Sequence, residues 1–381
     1  MRFNSFESNW HEIEISTLIK EVNVKTSDFI TYPLYSFTIE DGVTPKTDRY
    51  ERGFLVKKEG ELFKIINNNN FIINPMNLRF GAINFSRINK PVSVSGYYDI
   101  FTIDNCNYNH FWNAYFKNNK TLHRYNQIAT GSLEEKKRVY FNQFIKMKFK
   151  VPNNDEKRKI NELISLIEQR VLTQKKIINN YKSLINGLIK MYFSNKGLCE
   201  VGKKIALNDI LIEGNKIPVD TKQYPKITIK LNKEGISFSN LNRKMADTRP
   251  FYIRNKNEII IGKQNYFNGS IAIIPEEYDN TICSNAIMSF KVKKDFNLKF
   301  IYYSISNDLF LKYRSHLANG TGQKELSEKD FLSFKIILPD EGTQNRIVNN
   351  IEKIIEKLQL EKKILFLYER QKQYLLDKLF I

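Results

Sequence analysis

The stretch KMKFKVPNNDEKRKI (146–160) returns later in the chain as SFKIILPDEGTQNRI (333–347). Each alternates apolar and polar residues up to a proline, breaks into a polar turn, and opens a long run on an isoleucine. The alternation has the period of a strand. Pro152 and Pro339 end that strand and keep the following helix from starting earlier. Displacing the chain by 187 positions sets Phe144 on Phe331, Lys148 on Lys335, Pro152 on Pro339, Ile167 on Ile354, Tyr181 on Tyr368 and Phe193 on Phe380. No gap is needed from 144 to 194, and a weaker match persists upstream at a shift of 188 or 189, with VSVSGYYDIFTI (92–103) over TICSNAIMSFKV (281–292). The period is far too long for a solenoid unit. The chain is a tandem duplication of a globule followed by a helix.

Both helices are written as seven-residue patterns. In 155–194, Ile160, Ile167, Tyr181 and Leu188 form one row. Leu163, Ile177, Leu184 and Met191 form a second, and Ile164, Val171, Ile178, Ile185 and Tyr192 a third. This is a wide apolar stripe on a helix of about 40 residues, roughly 60 Å long. The second copy supplies matching rows: Ile347, Ile354, Tyr368 and Leu375, and Ile351, Leu358, Leu365 and Leu379. The simplest packing is an intramolecular coiled coil. One slot is polar in both copies, Gln174 and Glu361; it either lies on the seam and fixes register or looks out to solvent. Leu358, Leu365 and Leu379, with Val348, Ile355 and Leu360, read as apolar helix surface left over for another subunit unless the globules cover it.

Before each helix the chain reads as α/β. FKIINNNNFIINP, VSVSGYYDIFTI, YPKITIKL, NEIIIGKQ and GSIAIIP have the β-branched apolar character of strands. NHFWNAYFKNNKTLHRY (109–125) and FNLKFIYYSISNDLFLKYRSHL (296–317) read as amphipathic helices. The expected architecture is two α/β (α+β) globules, 1–150 and 198–341, each closed by a long helix, 151–197 and 342–381, with a pseudo-two-fold relation between the copies.

The 381 residues carry a formal charge of +19. Residues 1–150 hold 21 basic against 15 acidic side chains, 151–197 hold 9 against 4, 198–341 hold 22 against 17, and 342–381 hold 8 against 5. No basic tail holds the excess. A polyanion partner follows, since lysine and arginine displace counterions from phosphates. Cys106, Cys199 and Cys283 are odd in number and far apart, which fits a reducing cytoplasm and offers neither a disulfide framework nor zinc spacing. His11, His110, His123 and His316 pair with no second ligand at metal spacing. No secretory h-region opens the chain, and no apolar run approaches the length of a membrane span.

Base readout needs Arg, Lys, Asn or Gln at base edges. In the first globule the candidates are Arg49 and Arg52, and Arg79, Arg87 and Lys90 in NLRFGAINFSRINKP (77–91). In the second they are Arg243, Lys244 and Arg249 in SNLNRKMADTRP (239–250), and Lys263, Gln264 and Asn265 after the IIIG strand. Gln323 and Lys324 sit in a glycine loop where backbone can approach a phosphate closely.

The block GTGQKELSEKDFLSFKIILP (320–339), followed by TQNRIVNNIEKIIEKLQLEKKILFLYERQKQYLLDKLF, resembles the specificity (S, HsdS) subunit of type I restriction–modification systems. That family has a G-T-x-Q-K-x-L loop, a strand ending in Pro, an E-Q-x-x-I helix start and a Leu/Phe-rich helix end. The first copy, ATGSLEEKKRVYFNQFIKMKFKVP then DEKRKINELISLIEQRV, is more degenerate: Lys157 stands where the family usually has Gln. The resemblance implies that each globule is a target-recognition domain reading one half of a split double-stranded DNA site. It implies helices that set the spacing and dock two methyltransferase (M) subunits, with restriction/translocase (R) subunits beyond them. S-adenosylmethionine, ATP and Mg²⁺ are then expected on the partners and no cofactor on this chain. The globules differ, so the expected site is asymmetric.

An enzyme would need other signs. There is no glycine-rich cofactor loop and no N/D-P-P-Y/F loop; NPMN (74–77) reads as a turn. Glu134-Glu135-Lys136 and Glu361-Lys362-Lys363 match a bare E-x-K, which a chain with 60 basic residues produces freely. Two other readings stay open: a specificity subunit whose partner fuses methylation and cleavage in one chain, and a non-catalytic coiled-coil DNA-binding adaptor.

Overall fold

The computed structural model describes residues 9–45, 62–194, 202–239, 249–314 and 325–380. They form two compact units, Met1–Lys175 with Lys363–Ile381, and Lys176–Lys362. In the first unit the strands are β1 (His11–Glu14), β2 (Ile19–Glu21), β3 (Lys25–Thr26), β4 (Tyr35–Thr38), β5 (Gly42–Pro45), β6 (Phe63–Ile66), β7 (Phe71–Ile73), β8 (Ile83–Phe85), β9 (Val92–Val94), β10 (Asp99–Ile103) and β11 (Lys148–Val151). Helices α1 (Asn109–Lys117), α2 (Asn119–Ile128) and α3 (Phe141–Ile145) lie between β10 and β11. The central antiparallel sheet has the order β2-β10-β7-β8, and β1 pairs with β11.

Strand alternation decides where this unit's core sits. Phe71, Ile73, Phe101 and Ile103 enter one core with Phe111, Trp112 and Phe116 of α1, while Ile72 and Ile100 enter a second with Ile66, Val92 and Val94. Both faces of the sheet are therefore covered, which is why its strands read as unbroken apolar runs. Phe71 stacks on Phe101 at 5.3 Å between ring centres, and the Phe116 ring meets Phe71 edge-on at 5.8 Å.

The second unit repeats this plan. Its strands are β12 (Lys203–Ala206), β13 (Leu211–Glu213), β14 (Ile227–Ile229), β15 (Ile236–Phe238), β16 (Phe251–Arg254), β17 (Ile259–Gly262), β18 (Ile271–Ile273), β19 (Thr281–Ser284), β20 (Ile287–Val292) and β21 (Lys335–Leu338). The sheet β13-β20-β17-β18 matches β2-β10-β7-β8, and β12-β21 matches β1-β11. Ile259 and Ile261 enter one core and Ile260 the other. The duplication reaches single turns. Asn69 and Asn257 both take positive φ, 63° and 64°. Gly81 and Gly269 both end a one-turn 3₁₀ helix in the left-handed region, at φ 86° and 76°. The Leu326 amide donates to the Lys263 carbonyl, as Val139 does to that of Pro75.

The amphipathic segment of each unit is two helices, where a single one is expected from periodicity. The first breaks at Asn118 between α1 and α2; the second breaks at Asn307, between Leu298–Ser306 and Asp308–Arg314. Both asparagines are extended (ψ 154° and 150°). Their side chains accept from Thr121 N and Phe310 N, which caps the next helix. An Asn cap competes with helix continuation, and the apolar period does not record it.

The long helices run Asn154–Phe193 and Glu341–Leu379. Their starts are capped alike: Asn153 Oδ1 accepts from Glu156 N, and Asp340 Oδ1 from Thr343 N. On the first, Ile160, Ile164, Ile167, Val171, Gln174, Ile178, Tyr181, Ile185, Leu188 and Tyr192 are all buried or half-buried. The steps alternate four and three, a heptad seam. On the second the same holds for Ile347, Ile351, Ile354, Leu358, Glu361, Leu365, Tyr368, Leu375 and Leu379. Within the first unit the helices run antiparallel, since Glu168 meets Lys372 at 3.2 Å and Lys175 meets Glu369 at 3.9 Å. Within the second, Asn350 Nδ2 donates to Tyr192 Oη at 2.9 Å. The expected α/β globules with paired long helices are what the chain forms.

Three details of the helices refine the reading from spacing. Gln174 is only 6% exposed, so that polar slot lies on the seam. Leu184 and Met191 face solvent, because a row a third of a turn from the seam leaves it. Val348 (6% exposed) and Ile355 pack into the core of the second unit and Leu379 into that of the first, and Leu358 is buried, so most of the surface expected to be spare is covered. Leu360 stays out, at 57% exposed.

Candidate nucleic-acid interface

In the second unit the ends of β13, β16 and β17, the β19–β20 turn and the start of a short helix, Glu328–Leu332, surround a cleft of about 600 Å³. Lys216, Tyr252, Arg254, Lys263, Asn285 and Glu328 line it. The Glu328 carboxylate is shared: Lys216 Nζ bonds it, and Lys263 Nζ lies 3.5 Å away. Partial burial would raise its pKa, but the two ammonium groups outweigh that and hold it below the ordinary carboxylate range. Lys216 also donates to Glu213 at 2.6 Å, and its pKa is raised by the bonds to Glu213 and Glu328. Arg254 is buried on β16, with Nη1 on the Asn215 carbonyl at 2.7 Å and Nε on Cys283 Sγ at 3.2 Å. Gly214 is required at the wall, where a Cβ would stand 2.9 Å from Ser289 Cβ. The cleft presents ammonium donors, a primary amide and a carboxylate acceptor together, with the Arg254 guanidinium committed to its wall. Base edges need that mixture; a phosphate needs donors alone.

The same place in the first unit carries other chemistry. By strand register and matching bonds, Tyr252 corresponds to Lys64, Asn285 to Gly96, Leu326 to Val139 and Glu328 to Phe141, and Tyr97, Arg138 and Tyr140 lie one position from these. Lys64 is buried, donates to the Tyr98 carbonyl at 2.7 Å and lies 3.7 Å from Asp99. Tyr97 and Tyr140 are 42% and 49% exposed, and the Arg138 guanidinium lies 5.8 Å from the centre of the Tyr140 ring. Exposed tyrosines beside an arginine make a stacking and cationic surface next to positions that carry an amide and a carboxylate in the second unit.

The residues proposed from sequence divide accordingly. Lys263 lines the cleft, with Gln264 and Asn265 exposed beside it in the chain. Arg249 precedes Pro250, whose carbonyl accepts from Asn285 N. Lys90 is exposed. Arg79 is buried and committed, with Nη1 on Glu134 Oε1 at 2.7 Å and Nη2 on the Glu134 carbonyl at 2.8 Å. Arg87 lies 4.2 Å from the centre of the Phe85 ring and donates to Glu168 at 2.7 Å. Both arginines hold the first unit together and are not presented as readers. Arg49, Arg52, Arg243, Lys244, Gln323 and Lys324 lie outside the described residues. Sequence reading missed Lys216, Arg254, Asn285 and Arg138. The one available signal was Arg254, a lone charge in the apolar strand FYIR, which must find partners there.

Among the described residues there is no group of three or more His, Cys, Asp or Glu arranged to hold a metal, and no helix long and apolar enough to cross a membrane.

Residues 190–366 match the family model of the type I restriction modification DNA specificity domain. No curated protein matches the sequence. Among solved structures, the chain is similar to the S subunit of the type I restriction–modification system from M. genitalium, with a TM-score of 0.59 and 15% identity over 100% of this chain and 98% of that one. It is also similar to a chain from a structural study of complex assembly and conformational transition in the type I system, with a TM-score of 0.53 and 12% identity over 98% and 97%. At such identities the likeness is one of fold. The family match thus covers 190–366, a little under half of the chain, and the fold of the whole chain is similar to that of the solved S subunit.

Proposed function

We propose that the chain is the DNA sequence-reading subunit of a type I restriction–modification complex, each unit recognising one half of a split, asymmetric site. The observation that carries this is the duplicated scaffold with diverged chemistry at its corresponding end. One topology, repeated with matching turns, offers Lys, Asn and Glu in a cleft of the second unit and exposed Tyr with Arg138 in the first. Such a pair suits two different half-sites. The subunit has no catalytic role of its own in this reading. Two M subunits supply adenine methylation with S-adenosylmethionine, and R subunits supply ATP- and Mg²⁺-dependent cleavage, all in the cytoplasm. Leu166, Leu172, Phe366, Leu367 and Tyr374 on the helices of the first unit, and Leu184, Met191 and Leu360 on those of the second, are exposed apolar side chains suited to M-subunit docking.

The test is selection from a random duplex pool by the complex with its M subunits, followed by the same selection with Asn285→Ala. The reading expects a split consensus, and in the variant a relaxed preference at one or two base pairs of one half only. Removing a bidentate bond to a base edge costs about 1–3 kcal/mol of discrimination. A variant that relaxes both halves equally would contradict it.

A further inference from the structure

The first unit has a groove between α2 and the β1–β11 ribbon. It is open, about 910 Å³, and basic: Lys120 and Arg124 come from α2, Lys146 from the turn after α3, and Lys148 and Lys150 from β11. Its one carboxylate is Glu12, 3.4 Å from Lys148. Lys120, Lys146 and Lys150 are exposed and form no ion pair among the described residues. Arg124 is held in place, donating to the Lys148 carbonyl at 2.5 Å with its guanidinium 5.1 Å from the Phe149 ring centre. Asn118 adds an independent sign. It lines the groove and is 5% exposed. Its Oδ1 is used by Thr121 N, and its Nδ2 donor has no partner among the described residues. A buried donor left in that state asks for an acceptor.

We propose that this groove binds the phosphodiester backbone of double-stranded DNA beside the half-site of the first unit, an anchor that carries charge and no sequence information. The lining favours nucleic acid over a protein partner. Protein interfaces have apolar and aromatic centres and are depleted in lysine, whereas DNA interfaces are rich in positive charge. The anchor is unequal between the units. With the caps Asn118 and Asn307 and the paired ribbons in register, the equivalent positions of the second are Leu309, Tyr313, Ser333, Lys335 and Ile337, with Lys204 for Glu12, so a local charge of +4 (five cations, one carboxylate) becomes +2 (two cations). The proposal rests on the chain reading DNA, and adds that the first unit supplies more of the salt-sensitive affinity.

The experiment uses the complex with its M subunits and a duplex carrying the selected site, titrated across salt concentrations. Replacing Lys120, Lys146 and Lys150 together by Gln is expected to weaken binding and to reduce the slope of log K against log[salt] by about 3, near 0.9 for each phosphate no longer neutralised, with the selected sequence unchanged. Asn118→Asp keeps the helix cap, removes the Nδ2 donor and adds a negative charge; it is expected to weaken binding about tenfold in low salt. An unchanged salt slope in a triple variant that still assembles overturns the proposal. Loss of M-subunit assembly with the slope intact assigns the groove to protein and overturns it too. Failure of the wild-type complex to select a split site would instead count against the reading of the two units.

Discussion

Glu168 joins globule to helices inside the first unit. From the first long helix, its carboxylate takes His110 Nδ1 of α1 at 2.8 Å, Arg87 of a loop at 2.7 Å and Lys372 of the second long helix at 3.2 Å. Burial alone would raise its pKa, but the His110 bond and the charges of Lys372 and Arg87 outweigh it and hold the carboxyl at about 2. The folded state therefore favours the charged form. Its contribution is complete above the ordinary value of 4.5 and is lost as pH falls from there toward 2. It amounts to no more than about 3 kcal/mol. Glu168→Gln is expected to destabilise the protein by about 3 kcal/mol at pH 7, since it strands three cationic or donor groups. Its unfolding midpoint should also fall less than that of the wild type between pH 5 and 3. Nearby Lys117 is pushed down to about 8, chiefly by burial. A base with a depressed pKa gives stability that grows as pH rises from about 8 to its ordinary value, so Lys117→Met should raise the melting temperature at pH 7 and flatten that rise. None of this network was legible in sequence. Glu168 sits in a polar helix slot, and its partners lie 58 to 204 positions away.

At the scale of elements, what could be read and what could not follow from period. Strand–proline–helix blocks and heptads are local patterns, so the ends of both units and the seam from Ile160 to Tyr192 follow from spacing. The breaks at Asn118 and Asn307 did not, because a cap is one residue and leaves the apolar stripe intact on either side. Asn307 also donates through Nδ2 to the carbonyls of Tyr303 and Ser304, at 3.2 and 2.7 Å. Asn307→Ala should cost about 1–2 kcal/mol in denaturant unfolding, and an unchanged midpoint would show the break to be set by tertiary packing instead. Gly269 holds φ at 76°, and a Cβ there would come within 3.0 Å of Lys233 N. Gly269→Ala should therefore destabilise the second unit by more than about 1 kcal/mol. The cleft was only partly legible. Lys263 follows an obvious strand, but Lys216, Asn285 and Glu328 are brought beside it from three other segments, and no linear spacing announces that.

For the whole molecule, the duplication supplies the two scaffolds that the proposed reading of two different half-sites needs. Topology, turns and caps are kept between the copies while the side chains at their corresponding ends diverge. The long helices are where spacing is set in this account: removing or adding residues within 165–185 should alter the spacer between the half-sites and leave the bases of each half unchanged. The most direct measurement is a genome-wide map of methylated bases made by the complex of this chain with its M subunits. The account predicts one split, asymmetric motif with a methylated adenine in each half. A contiguous motif, a palindrome, or no methylation from a complex that assembles would contradict it.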